Sequence, residues 1–260
     1  MTESEDTCIV SRDGAVVTIA INRPESMNGF NADLRSAFAE ALSAAGSDAS
    51  VRAVIITGNG RAFSAGADLG AGFPEDMTIE QQLQRHYRPS FQEIVSMPKP
   101  VIAAINGAAA GIGMSYALAC DLAVMSDSAF MLAPFTNISL VPDGGATFLM
   151  QHHLGYKRAF QLCAETERID AQRCLNYGLV NRVVPADEVL GNAQQWAASL
   201  SERAPLSLAA TKLAMREAQL GAWERAFDIE ARLQKDLAGS DDNREGVAAF
   251  FEKRKPVFKG

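Results

Sequence analysis

The chain has 260 residues, of which 48% are hydrophobic and 21% charged, and this composition excludes long disordered, fibrous or collagen-like segments. Lysine and arginine total 24 against 31 aspartate and glutamate residues, and the resulting net charge of −7 disfavours nucleic-acid binding. The four cysteines form no CxxC pair, the N-terminus is acidic, and residues 100–124 are too interrupted by polar residues to span a membrane. We therefore expect reduced thiols and a cytoplasmic location.

The first half of the chain alternates short apolar runs with helical patterns. Residues 8–12 and 15–21 flank Asp13-Gly14, which predicts a β-hairpin. Asn31 is placed to cap a helix that ends near Gly46. Buried strands are predicted at 53–57, 101–105 and 122–125, and an amphipathic segment at 78–95. This alternation predicts an α/β chain wound by crossover connections.

The last quarter of the sequence has a different pattern. After Asp187, three or four helical stretches extend to the end of the chain. They are marked by Trp196 and Leu200, Leu208 and Leu213, Phe227 and Leu233, and Val247 and Phe251. We therefore divide the chain into a core at 1–186 and a helical region at 187–260.

Two short motifs have weak functional readings. Gly111-Ile-Gly113 follows a strand, as in a dinucleotide-binding loop, but the third glycine of that fingerprint is absent. The segment Gly113-Met-Ser115-Tyr-Ala117 resembles the nucleophile elbow of hydrolases, with a small residue two positions away on each side of the serine. The only later histidines are His152 and His153, and these follow too closely. A packing role is the favoured interpretation of Ser115.

Two loops rich in small residues form a third motif. Residues 63–68 follow one predicted strand and residues 106–113 follow the next. Backbone N–H groups from such loops can form an oxyanion hole, a site that stabilises negative charge on a substrate oxygen. The alternative is that the glycines and alanines only permit tight packing of helix on strand.

Five sequence blocks resemble the crotonase (enoyl-CoA hydratase/isomerase) superfamily, and the resemblance covers essentially the whole chain. The blocks are residues 61–69, 99–107, 119–123, 141–145 and 177–185. The resemblance implies a spiral of ββα units followed by a C-terminal helical region that builds trimers, usually paired into hexamers. It also implies acyl-coenzyme A substrates, with no cofactor apart from the coenzyme A of the substrate.

Several site residues follow from this resemblance. The amides that would hold the thioester oxygen belong to Ala67 and Ile112, although the family often has glycine at the second position. Coenzyme A would lie along Ala65, Asp68 and Leu69. By the same resemblance, Phe250 packs near the adenine and Lys253 approaches the 3′-phosphate.

The resemblance also distinguishes between reactions. Hydratases of the family use two glutamates, and an alignment without gaps places Ser115 and Phe135 at those positions, so hydration should be lost or very weak. The same alignment places Asp143 where double-bond isomerases carry a catalytic carboxylate. Apolar neighbours such as Phe135 and Leu140 should raise the pKa of Asp143 and make it a better base. The alternative is that Asp143 caps a helix beginning near Gly144.

The sequence thus favours an isomerase that moves a 3-enoyl double bond to the 2-position. Nucleophilic attack by Asp143, hydrolysis with Asp143 as the base, and non-catalytic acyl-CoA binding are the other hypotheses. We expect an acyl-CoA substrate, a homotrimer or hexamer, and neither a metal nor a membrane or nucleic-acid partner.

Overall fold

The computed structural model describes residues 6–71 and 77–259, in which ten strands form two sheets. The strands are β1 (Cys8–Asp13), β2 (Val16–Ile21), β3 (Ala53–Gly58), β4 (Ala62–Ser64), β5 (Val101–Ile105), β6 (Ala108–Ala110), β7 (Leu122–Ser126), β8 (Phe130–Leu132), β9 (Ile169–Asp170) and β10 (Arg182–Val184). The predicted hairpin and the three predicted buried strands are confirmed, as β1, β2, β3, β5 and β7.

The larger sheet has the order β1-β2-β3-β5-β7-β10, and the smaller has the order β4-β6-β8-β9. Strands β2, β3, β5, β7 and β10 run parallel, and β1 joins them as an antiparallel edge strand. Each of β3, β5 and β7 is followed by a short strand of the second sheet. Repetition of this step gives the predicted spiral of ββα units.

The described residues contain ten α-helices. They are α1 (Ala32–Ser47), α2 (Ile79–Gln82), α3 (Arg88–Ser96), α4 (Ile112–Ala119), α5 (Ala146–Leu154), α6 (Tyr156–Glu165), α7 (Ala171–Asn176), α8 (Val189–Ser201), α9 (Pro205–Leu237) and α10 (Asp241–Glu252). The Asn31 side chain accepts a hydrogen bond from the Leu34 amide, which confirms the predicted cap of α1. A π-helical turn, Leu83–Tyr87, joins α2 to α3.

The C-terminal region is helical, as predicted, but it has three helices with unexpected boundaries. The stretches predicted around Leu208 and Phe227 form one helix of 33 residues, α9. Gly221 lies inside this helix, where a single glycine costs about 1 kcal/mol and does not end it. Helix α8 packs its buried face, including Val189 and Ala193, on the larger sheet.

An aromatic stack in the core fixes the position of α4. The Tyr116 ring lies between Phe91, at 4.1 Å between ring centroids, and Phe30, at 4.9 Å. The Tyr116 hydroxyl also shares a 2.6 Å hydrogen bond with Ser90. These contacts hold the N-terminus of α4 against the loop that follows β4. No helix among residues 6–71 and 77–259 has the length and apolar character needed to cross a membrane.

Candidate active site

The two small-residue segments, 63–68 and 106–113, are not loops throughout, because they include parts of the short strands β4 and β6. These strands pair in parallel, so the two segments lie side by side. Gly66 follows β4 with a φ of +102°, a conformation that favours glycine. A Cβ atom at this position would lie 2.9 Å from the Ala110 carbonyl oxygen and 3.4 Å from the Ile112 nitrogen. Gly66 therefore permits both the turn and the close approach of the two loops.

The amides of Ala67 and Ile112 are available to an external acceptor. Phe30 bonds to the residues on either side of Ala67, through its amide to Gly66 at 2.8 Å and through its carbonyl to Asp68 at 3.1 Å, so the Ala67 amide takes no part in this bridge. Ile112 is the first residue of α4, where an amide has no acceptor within the helix. Neither amide donates to a backbone carbonyl in the part of the chain that the structure describes.

Asp143 lines a cavity of about 680 Å³ together with Ala67. Its side chain is buried, and burial raises the pKa of its carboxyl group to about 7. Oδ2 accepts a 2.9 Å hydrogen bond from Gln234, whereas Oδ1 is buried without a partner. Asp143 thus has one buried carboxylate oxygen without a partner and lines a cavity that it shares with Ala67, a candidate oxyanion-hole residue.

Two buried polar residues of α9 support Asp143 from behind, and sequence reasoning missed both. Gln234 donates to Asp143 and accepts a 2.9 Å hydrogen bond from the Val141 amide. Glu230 accepts hydrogen bonds from the Gly145 and Thr147 amides at 2.6 and 2.9 Å, and burial raises its pKa to about 8. Both residues fall at helical spacing from buried Phe227. Two polar residues on the apolar face of a predicted helix were the sequence signal that could have identified them.

The alternative role of Asp143 as a helix cap is wrong. Helix α5 begins after Gly145, and that position has no side-chain capping bond. Glu230 supplies the acceptor for the first amides of α5. The Asp143 side chain is therefore not required to terminate the helix.

The remaining predicted site residues divide into two groups. Asp68 and Leu69 line the cavity, with Asp68 held in an ion pair with Arg23 at 2.9 Å, while Ala65 is exposed just before the turn. Phe250 and Lys253 are exposed at the end of α10, beyond the part of that helix that lines the cavity. The structure therefore brings Asp143, Ala67, Asp68 and Leu69 around one space. The other predicted site residues do not line it; they are Ala65, Ile112, Phe250 and Lys253.

The two positions that carry glutamate in hydratases have no carboxylate. Ser115 is fully buried in α4, and its hydroxyl donates a 2.8 Å hydrogen bond to the Asp143 backbone carbonyl. Its second, longer hydrogen bond goes to Gly111 at 3.5 Å, and neither bond involves a histidine. Phe135 is buried, and a Cβ atom added at Gly111 would lie 4.0 Å from the tip of its ring. Both residues support the loops instead of supplying an acid or a base.

This arrangement can stabilise an enolate and transfer a proton. A pair of amides stabilises negative charge on a thioester oxygen, and a carboxyl group with a pKa near neutral pH can both remove and return a proton. The described residues contain no cluster of three or more histidine, cysteine, aspartate or glutamate side chains that could hold a metal ion.

Comparisons with known proteins agree with this fold. The profile of the enoyl-CoA hydratase/isomerase family matches residues 11–260. A probable enoyl-CoA hydratase of Rhodobacter capsulatus is 40% identical, and a 1,2-epoxyphenylacetyl-CoA isomerase of Escherichia coli is 34% identical, each over 94% of this chain and 95% of the relative. The crystal structure of an enoyl-CoA hydratase from Mycobacterium avium subsp. paratuberculosis superposes with a TM-score of 0.89 at 35% identity, covering 98% of this chain and 99% of that one. The chain therefore belongs to the enoyl-CoA hydratase/isomerase family of the crotonase superfamily.

Proposed function

We propose that this protein is an enoyl-CoA isomerase that converts a 3-enoyl thioester to the 2-enoyl form, with Asp143 as the acid and base. The observation that carries the proposal is the buried Asp143, which has one unpaired carboxylate oxygen and lines the same cavity as Ala67. The proposed reaction needs no cofactor other than the coenzyme A of the substrate.

In the proposed mechanism, the Asp143 carboxylate removes a proton from C2 of the substrate. The electron pair of that C–H bond moves into the thioester, and the Ala67 and Ile112 amides donate hydrogen bonds to the resulting enolate oxygen. The protonated Asp143 then delivers the proton to C4, and the double bond ends between C2 and C3. One proton leaves and one returns, so a single carboxyl group suffices.

The other carboxylates near the site are already engaged. Asp68 forms an ion pair with Arg23, and Glu230 caps α5. Hydration requires a group that activates water, and Ser115 and Phe135 supply none at the two positions that perform this task in hydratases. A relative named as an isomerase, from Escherichia coli, supports the proposal, while the name of the Rhodobacter capsulatus relative points to hydration.

Three assays with the purified protein test the reaction. A 3-enoyl-CoA should gain the ultraviolet absorbance of a conjugated thioester, 2-enoyl-CoA should hydrate slowly, and saturated acyl-CoA should release no free thiol. Fast hydration of crotonyl-CoA would contradict the proposal, and thiol release would favour hydrolysis. Turnover of none of these, with acyl-CoA still bound, would favour the non-catalytic alternative.

Asp143→Asn tests the carboxylate itself. An amide cannot accept the C2 proton, so isomerisation should fall by about a thousandfold while acyl-CoA affinity stays nearly constant. Asp127→Asn is the matched control, because Asp127 is exposed after β7 and lies outside the cavity. A stable aspartyl adduct with substrate, detected by mass spectrometry of the parent protein, would replace the acid/base role with nucleophilic attack.

We also propose that the protein assembles as a homotrimer, alone or paired into a hexamer. Tyr156 and Phe160 on α6 are 66% and 61% exposed and stack on each other at 5.9 Å. Exposed aromatic pairs of this kind are typical of protein interfaces. Sedimentation equilibrium should give a mass three or six times that of the chain, and a monomer would contradict the assembly.

A further inference from the structure

We propose that the acyl group of the substrate ends in a carboxylate and that Arg35 binds this carboxylate. The inference rests on the proposed function only in that the acyl-CoA thioester must occupy the cavity between Ala67 and Asp143. Arg35 lies on α1, and its side chain lines the same cavity as Ala67 and Asp143. The site of chemistry and a guanidinium group therefore share one enclosed space.

The hydrogen bonds of Arg35 are incomplete. Its Nε atom is buried and has no hydrogen-bond partner. Its Nη1 atom donates only a long bond, 3.4 Å, to the Tyr87 hydroxyl, and the guanidinium carbon lies 5.2 Å from the centre of the Tyr87 ring. A buried donor without an acceptor is unfavourable, and a ligand that supplied the acceptor would remove that cost.

Arg35 also forms no ion pair among residues 6–71 and 77–259. The other charged groups around the cavity are engaged elsewhere, since Asp68 pairs with Arg23 and Arg244 pairs with Asp241. No ion pair joins Arg35 to Asp143, whose described partner is Gln234. A guanidinium group without a paired carboxylate favours an anionic ligand.

The groove on the outer side of Arg35 does not neutralise it either. Glu40 lines that groove with Arg35, but it forms no ion pair with it and accepts a 3.2 Å hydrogen bond from Ser36. Arg85 and His86 line the same groove and add no negative charge. The groove therefore leaves Arg35 available to a ligand in the cavity.

Two neighbouring side chains can donate to the same ligand. Tyr87 lines the cavity and accepts from Arg35, and burial raises its pKa to about 12, so its hydroxyl keeps a proton to donate. Gln82 is 8% exposed, lines the cavity, and has no side-chain hydrogen bond among the described residues. A guanidinium, a phenol and an amide around one space match a carboxylate, which accepts several hydrogen bonds and pairs with arginine in a fixed geometry.

Binding of saturated thioesters tests the proposal without any reaction. We would measure dissociation constants by calorimetry for a series of saturated acyl-CoA compounds of increasing length, each made with a methyl end and with a carboxylate end. At the best length, the parent protein should bind the carboxylate form at least about tenfold more tightly. Arg35→Met should abolish this preference without weakening the binding of the methyl form, and Arg35→Lys should retain part of it.

Arg232→Met is the matched control, because it removes the same charge from an exposed position of α9 outside the cavity. It should leave the preference for the carboxylate form intact. Equal binding of both forms by the parent at every length, or an unchanged preference in Arg35→Met, would overturn the proposal.

Thermal unfolding of Arg35→Met, followed by circular dichroism, shows whether the variant is folded. If Arg35→Met is unfolded, the binding of the carboxylate and methyl forms to the parent and to Arg35→Lys tests the proposal. The parent should prefer the carboxylate form, and Arg35→Lys should retain only part of that preference. Saturated thioesters cannot isomerise, so failure of the proposed reaction would leave this result unaffected.

Discussion

The Gln234 side-chain amide donates a 2.9 Å hydrogen bond to Oδ2 of Asp143, across 91 positions of the sequence. The bond stabilises the ionised carboxylate, so it lowers the pKa of Asp143 against the stronger effect of burial. Because Gln234 also holds the Val141 amide, it fixes the direction of the segment that carries Asp143.

Gln234→Met should therefore change the pH profile as well as the rate. Methionine keeps the length of the side chain but donates no hydrogen bond, so the pKa of Asp143 should rise further. We expect kcat at neutral pH to fall about tenfold, with the rising limb of the profile moved to higher pH. Gln195→Met, at an exposed position of α8, is the control. A lower kcat with an unchanged pH profile would show that Gln234 supports the fold and does not affect the pKa of Asp143.

The parent protein should gain activity as the pH rises through about 7. Asp143 must be ionised to remove the C2 proton, and burial raises its pKa to about 7, so the fraction of active enzyme increases with pH across this range. The dependence of kcat/KM on pH reports this group in the free enzyme. A profile that is flat between about pH 5 and pH 9 would exclude Asp143 as the base.

Much of the fold could be predicted because its signals are local. The Asp13-Gly14 pair specifies the hairpin, and Asn31 caps α1 from three residues away. The close approach of Gly66 to the N-terminus of α4 depends on contacts between distant parts of the chain. Parallel pairing of β4 and β6 gives its physical reason. The roles of Ala67 and Ile112 were assigned by the resemblance, not by the spacing alone, and stay a prediction.

The supporting residues could not be predicted from the sequence. Glu230 and Gln234 lie 83 to 93 positions from their partners in the 141–147 segment, and only the path of α9 brings them together. The sequence also predicted separate helical stretches where the structure has one helix of 33 residues, α9, which continues through Gly221. No sequence pattern distinguishes Arg35 from an arginine on the exposed face of a helix. Only the structure shows that it lines the cavity.

Glu230→Ala should destabilise the protein. It removes the acceptor of the Gly145 and Thr147 amides, and loss of these bonds should lower the free energy of unfolding by about 2 kcal/mol in urea titrations. Because the folded-state pKa of Glu230 is raised to about 8, it binds a proton more tightly than the unfolded chain does, and its contribution to stability declines as the pH rises toward that value. The variant should lack this part of the pH dependence, and equal stability of both proteins at pH 6 would contradict the capping role.

Ser115→Ala should affect turnover far less than Asp143→Asn. The hydroxyl of Ser115 bonds to the backbone carbonyl of Asp143, so its loss relaxes one support and leaves the carboxylate in place. We expect a decrease in kcat of less than about tenfold and a loss of about 1 kcal/mol in stability. Covalent labelling of Ser115 by an active-site serine reagent would reverse this assignment.

Lys253→Ala tests the predicted contact with coenzyme A at the end of α10. Lys253 is exposed and belongs to a basic cluster with Arg254, Lys255 and Lys259, although Arg254 is already paired with Glu245 and Glu252. If Lys253 meets the 3′-phosphate, its loss should raise the apparent KM for acyl-CoA about tenfold at low salt, equivalent to about 1.4 kcal/mol, with little change in kcat.

Dephospho-CoA thioesters provide the control for that contact. They lack the 3′-phosphate, so the variant and the parent should bind them equally well, and added salt should reduce the difference seen with the complete coenzyme. Lys255→Ala, a neighbouring change of the same charge, should have a smaller effect because the contact is assigned to one ammonium group. If Lys253→Ala binds both forms of the coenzyme as tightly as the parent does, the lysine belongs to a solvated tail and not to the coenzyme A site.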